Sequence, residues 1–230
     1  MKYTRYNLKK KNTPGKKFII TIFGTLTVCI LLGIFMLKSF PSSSSSLDKS
    51  LPHVTDKKPV LYIAIQGGLY KIKENADETY KLLSDYGNPF IITEEDKTMR
   101  VFLGVYTEEE ALKQIKILTG KGIVPSKMTF QIVQSDLCDA EIIEILNANL
   151  LIISTASRED VSSVPTDELK KWCLALKEVD KSSKNISTLK DLKNYVNNLP
   201  KEISKDKVSA NYIYIYNSLK KFVVKTAPIK

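Results

Sequence analysis

The chain has 230 residues, with 35 basic against 25 acidic, three cysteines and a single histidine. That length holds one large domain or two small ones. So few cysteines and one histidine exclude a disulfide framework and leave almost nothing for a zinc site, so neither metal nor cofactor is expected. Seven of the basic residues (Lys2, Arg5, Lys9, Lys10, Lys11, Lys16 and Lys17) fall in the first 17, where no acidic residue occurs. The remainder is nearly balanced, so the charge describes a short tail rather than a basic binding face, and nucleic acid is not an expected partner.

Residues 18–37 carry no charge and no proline. A helix of that length spans roughly 30 Å, the thickness of a hydrocarbon core. The segment is therefore expected to cross a membrane once, with the basic residues 1–17 held on the cytoplasmic side. It is longer than the apolar core of a cleavable signal, and the Lys38-Ser39-Phe40-Pro41 sequence after it offers no cleavage site, so it is read as retained. Residues 38–58 include five consecutive serines, Ser42 to Ser46, and few large apolar groups. They read as a flexible linker, which places everything after them outside the cytoplasm. His53, the only histidine, lies in that linker.

Residues 59–134 alternate between strand and helix periodicity. Val60 to Gln66 alternates and is followed by Gly67-Gly68, which predicts a strand. Glu74 to Tyr86 has helical spacing through Ala76, Tyr80, Leu83 and Tyr86, ending at Gly87. Phe90 to Thr93 and Thr98 to Tyr106 read as strands. Thr107 and Glu110 match a capping box that opens a helix through Ala111, Ile115 and Leu118, ending near Gly120 or Gly122. Met128 to Val133 is the last strand. The order β-α-β-β-α-β is a split βαβ pattern. It contains an internal repeat: Gly68-x-Tyr70 precedes a helix through Ala76, and Gly104-x-Tyr106 precedes one through Ala111. In each half a strand is expected to end at the glycine and turn past the aromatic.

Residues 135–225 read as a helical bundle, with residues 226–230 as a tail. Asp136 to Ile153 is strongly apolar. Thr166 to Val179 repeats at Leu169, Trp172, Leu176 and Val179, with Trp172 expected as a core anchor. Thr188 to Leu199 repeats at Leu192, Tyr195 and Leu199. Lys205 to Val224 reads as a helix through Val208, Tyr212, Tyr216, Leu219 and Val223, although its Tyr212-Ile213-Tyr214-Ile215-Tyr216 core also suits a strand. Cys138 and Cys173 pair only if folding brings them together.

The sequence Ile65-Gln66-Gly67-Gly68-Leu69-Tyr70 followed by Lys73-Glu74-Asn75-Ala76 resembles the opening motif of SPOR domains, peptidoglycan-binding modules of bacterial division and sporulation proteins. Arg100-Val101-Phe102-Leu103-Gly104-Val105-Tyr106, with Glu109-Glu110-Ala111 after it, is similar to their second half-motif. The likeness covers residues 59–134. It implies an α+β, ferredoxin/RNP-like domain, a four-stranded antiparallel sheet with two helices on one face. The other face would bind peptidoglycan glycan strands depleted of stem peptides, and Gln66 and Arg100 match the positions that lie in the family's cleft. Gly67, Leu69 and Val105 depart from the family pattern, and no tryptophan lies near Arg100, which implies a weakened or altered affinity. Periodicity puts Tyr62, Ala64 and Phe102 on the same face as Gln66 and Arg100, as further sheet-face contacts. The expected protein is thus a membrane-anchored, non-catalytic wall binder at division or sporulation sites. The alternative is an adaptor that docks division or sporulation proteins through its sheet face or C-terminal helices. A catalytic triad would have to use His53 in the linker, and although a glycosidase needs only two carboxylates, no acidic residue stands out in a cleft-like context, so no enzyme activity is expected.

Overall fold

The computed structural model describes residues 59–227. The expected cytoplasmic tail, transmembrane helix and linker, and residues 228–230, lie outside the described residues; among those described, no helix is long and apolar enough to cross a membrane.

The fold is α+β. Its first half runs β1 (Val60–Tyr70), α1 (Lys73–Ser84), β2 (Phe90–Thr93), β3 (Met99–Thr107), α2 (Glu108–Gly120) and β4 (Ser126–Ile132), in the order the periodicity predicts. The second half runs α3 (Leu137–Ala156), β5 (Ser163–Pro165), α4 (Asp167–Leu174), α5 (Ile186–Asn197), β6 (Glu202–Ser204), a single 3-10 turn, α6 (Val208–Leu219) and β7 (Val223–Ala227). The main sheet has the strand order β2-β3-β1-β4-β7, every pair antiparallel. Four of its strands come from residues 59–134. The fifth, β7, comes from the segment expected to be helical, because α6 ends at Leu219 and Val223 begins a strand against β4. Strands β5 and β6 form a separate two-stranded ribbon.

Helices α1 and α2 cover one sheet face. Each contributes a fully buried alanine and leucine, Ala76 and Leu83 from α1, Ala111 and Leu118 from α2, against Ile63, Ile65, Val101 and Leu103. The small alanines let the helix backbones lie close to the sheet. Helix α2 ends in a Schellman motif. Gly122 at φ +77° follows the C-cap, its N–H donates to the Thr119 carbonyl at 3.0 Å, and the Ile123 N–H donates to the Leu118 carbonyl at 3.0 Å. Its start differs from the expected capping box. The Thr107 hydroxyl reaches the Glu110 carboxylate at 3.3 Å and leaves the backbone N–H groups uncapped by a side chain. Three acidic residues in the first turn, Glu108, Glu109 and Glu110, complement the positive helix end instead.

The glycine repeat has a different physical basis from the one expected. Neither strand ends at its glycine; β1 and β3 run through Gly68 and Gly104. The tyrosine two residues on lies on the same side of the strand and lays its ring over the glycine. A Cβ on Gly104 would stand 2.5–2.8 Å from the Tyr106 hydroxyl and ring, and a Cβ on Gly68 would clash with Tyr70 in the same way. Tyr106 is itself hemmed in by the Tyr212 ring at 6.2 Å between centroids. Gly104→Ala is therefore expected to lower stability by roughly 1–3 kcal/mol, the scale of overpacking. Glycine-to-alanine in a strand would otherwise be favourable. A chemical-denaturation midpoint that stays put or rises would show that the ring moves aside freely.

The opposite sheet face is not open. Helices α3 and α6 lie across it, and α5 packs outside α3, with α4 against α5. Helix α3 begins at the Asp136 cap, which accepts the Asp139 N–H at 2.8 Å, while Asp139 accepts from Asn185 Nδ2 at 2.6 Å and so ties the start of α3 to α5. Lys193 of α5 meets the buried Glu141 of α3 at 2.8 Å. Thus residues 59–134 and 135–225 differ in sequence character but share one core. Trp172 is only half-buried; Leu169 and Cys173 take the buried positions of α4, which stops at Leu174. Cys138 and Cys173 are both buried free thiols, and burial pushes each up to about 11.

Candidate functional site

The two residues singled out by the resemblance meet. Gln66 on β1 accepts from Arg100 Nη1 on β3 through its Oε1 at 2.9 Å, across 34 positions of sequence. Their strands are neighbours, but the register alone does not bring them together, because Arg100 lies opposite Leu69. The register shifts on both sides of Gln66, between Ile65 and Gln66 and between Gln66 and Gly68. Such bulges re-aim a side chain, and here they turn Gln66 toward Arg100.

Two further residues complete the corner, and the sequence reading named neither. Arg100 Nε donates to Glu94 Oε1 at 2.9 Å, and Lys220 Nζ, just past the end of α6, stands 3.3 Å from Glu94 Oε2. Glu94 begins the β2–β3 hairpin turn, where its N–H donates to the Thr98 carbonyl at 2.8 Å. That pairing makes Arg100 its diagonal cross-strand neighbour. The turn is held by Asp96, which accepts from the Thr98 N–H and hydroxyl, and it takes Lys97 through φ +65°. The hairpin register was the signal that could have found Glu94; nothing in the sequence pointed to Lys220.

The corner is half-exposed, with the side chains of Arg100 and Glu94 26% and 23% accessible. Beneath it lies Tyr216 of α6, whose hydroxyl burial pushes up to about 12, with the Glu94 charge adding to the rise. The observed bonds use two of the five guanidinium N–H groups of Arg100. The remaining donors, with the Gln66 amide, suit neutral hydroxyl or carbonyl oxygens. The Glu94 carboxylate is engaged by two cations, an arrangement that orients the guanidinium.

Tyr62, Ala64 and Phe102 do lie on the face that periodicity gave them, but they are fully buried. This corrects their reading as open sheet-face contacts. The Tyr62 hydroxyl donates to Asn147 Oδ1 of α3 at 2.9 Å, with the Ile143 carbonyl 3.2 Å away. Burial holds this hydroxyl far above the usual tyrosine range. The Phe102 ring packs on Tyr216 at 4.8 Å between centroids and on Phe90 at 5.2 Å. Phe130 of β4 meets Tyr216 edge-on at 5.7 Å. The aromatic surface that would suit a sugar is filled by aromatic and aliphatic groups of the same chain. Comparison of the chain with family models, with curated proteins and with solved structures finds no match.

Proposed function

We propose that this chain is a membrane-anchored, non-catalytic protein of the SPOR type that binds stem-peptide-depleted glycan strands of peptidoglycan at division or sporulation sites. The observation that carries this reading is the Gln66–Arg100 hydrogen bond at 2.9 Å, which joins the two residues that match the family's cleft in one half-exposed corner. Glu94 and Lys220 frame that corner. With α3 and α6 over the rest of the face, the contact is short, and a glycan would meet an amide and a guanidinium rather than an aromatic floor. Tethering compensates for a short contact, since confinement to the wall layer beside the membrane raises the effective concentration.

Residues 57–230 should pellet with amidase-treated peptidoglycan in excess over intact wall, and Gln66→Ala with Arg100→Ala should reduce the pelleted fraction. Equal pelleting with both preparations would sink the glycan reading. The adaptor reading would then take its place, favoured by the burial of Tyr62, Ala64 and Phe102, which leaves the C-terminal helices rather than the sheet face to dock a partner.

A further inference from the structure

A groove of about 430 Å³ lies between α5 and α6, apart from the Gln66–Arg100 corner and within the half of the chain that carries no family likeness. Its wall is a pair of parallel rings, Tyr195 of α5 and Tyr214 of α6, with centroids 3.5 Å apart and planes 5° from parallel. Both hydroxyls are held: Tyr195 donates to Asn211 Oδ1, and Tyr214 donates to the Asp191 carbonyl at 2.9 Å. The aromatic pair is therefore fixed in place by hydrogen bonds at its outer ends.

Around the rings stand three exposed amides, Asn194 and Asn198 on one side and Asn217 on the other. Asn194 and Asn217 lie within helices, where asparagine is among the poorer helix formers and an exposed position would be better served by Ala, Lys or Glu. Asn194 has one local use, since its Oδ1 accepts from Asn198 Nδ2 at 2.9 Å near the helix end, whereas helix stability gives no reason for Asn217. The charged groups of the groove, Asp191 and Lys221, neutralise each other at 2.8 Å. A site with no uncompensated charge does not select phosphate or a metal cation. A fixed aromatic wall, amides that both donate and accept, local neutrality and a volume inside the usual range for ligand pockets fit a neutral saccharide. The ring C–H face of a pyranose stacks on an aromatic, and side-chain amides pair with its hydroxyls or, in register, with an acetamido group.

We infer that the α5–α6 groove is a second binding site, for a neutral oligosaccharide bearing acetamido groups. It stands whether or not the Gln66–Arg100 corner binds glycan. The test is calorimetric titration of the full chain with tri-N-acetylchitotriose, beside maltotriose as a neutral sugar without acetamido groups. Binding of the acetylated sugar in preference to maltotriose is expected. Asn194→Ala combined with Asn217→Ala should weaken it about tenfold or more, the scale of two lost hydrogen bonds. The better helix propensity of alanine offsets the Asn198 hydrogen bond lost at position 194, so the double variant should melt close to the parent, which separates lost binding from lost folding. The same titration of a chain whose corner is disabled by Gln66→Ala with Arg100→Ala should still show the acetylated-sugar binding that Asn194→Ala with Asn217→Ala removes, which separates the groove from the corner. No heat with the acetylated sugar, equal binding of maltotriose, or a double variant that binds as well as the parent would overturn the assignment.

Discussion

Residues 57–134 prepared alone are expected to lose cooperative folding and to self-associate, although they contain every element of the βαββαβ unit. Truncation there uncovers Tyr62, Phe90, Phe102 and Phe130, all fully buried in the chain, together with Met128, which accepts from the Tyr216 hydroxyl at 3.5 Å. Aromatic side chains bury about 150–250 Å² each, so the four rings amount to roughly 600–1,000 Å². Attributing half of that burial to α3 and α6, at about 25 cal/mol per Å², gives roughly 8–12 kcal/mol as an upper estimate. The whole stability of a domain is about 5–15 kcal/mol. Circular-dichroism melting and size-exclusion chromatography decide the matter. A sharp transition and a monomeric elution for residues 57–134 would mean that the cover is dispensable and that the two halves are separate folding units.

Alkaline unfolding gives a second large effect. Burial raises the hydroxyls of Tyr62, Tyr106 and Tyr212 well above their ordinary range. Each therefore keeps its proton in the folded chain at a pH where the unfolded chain, titrating near 10, has lost it. The sign follows directly: this stability is complete below about pH 10 and is lost as the pH rises beyond it. Each such tyrosine withdraws about 1.4 kcal/mol per pH unit, so three withdraw roughly 4 kcal/mol per unit. Unfolding within a few units above pH 10 is expected, with tyrosinate absorbance and loss of circular dichroism rising together in one steep transition. A gradual tyrosine titration centred near 10 with the fold intact would show that these rings are not enclosed by the α3 and α6 cover of the sheet.

The first half of the fold was legible because its signals are local. Alternation in Val60 to Gln66 and Thr98 to Tyr106, buried alanines at helix spacing and a glycine past Leu118 each follow from neighbours a few residues apart. The same alternation gave the direction of Tyr62, Ala64 and Phe102 correctly, but direction does not determine exposure. Two signals of the cover were nonetheless present. The segment Val60-Leu61-Tyr62-Ile63-Ala64-Ile65 is apolar at every position, as a strand enclosed on both faces requires. Helix α3 is apolar nearly all round, which places it between layers rather than at a surface. What joined these facts is tertiary and has no local trace: Tyr216 sits between Phe102 and Phe130 only because the chain returns after α5. Strand β7 was missed for a related reason, since Val223 continues the helical spacing of α6 and only its pairing with β4 makes it a strand. At the candidate site Gln66 and Arg100 were found by resemblance, whereas their mutual contact depends on two bulges that no periodicity reveals.

The position of β1 in the sheet has a mechanical consequence. The chain enters the described fold at Val60, which is paired with Ile132 of β4, and two residues later Tyr62 is also paired with Thr107 of β3. Any tension transmitted from the preceding residues is thus applied to the central strand, between two antiparallel neighbours, and not to an edge. When the pull runs along that strand, the hydrogen bonds on both sides are strained together in shear and share the load, instead of opening one after another. A protein drawn between two moving layers would yield last where its chain first enters the fold.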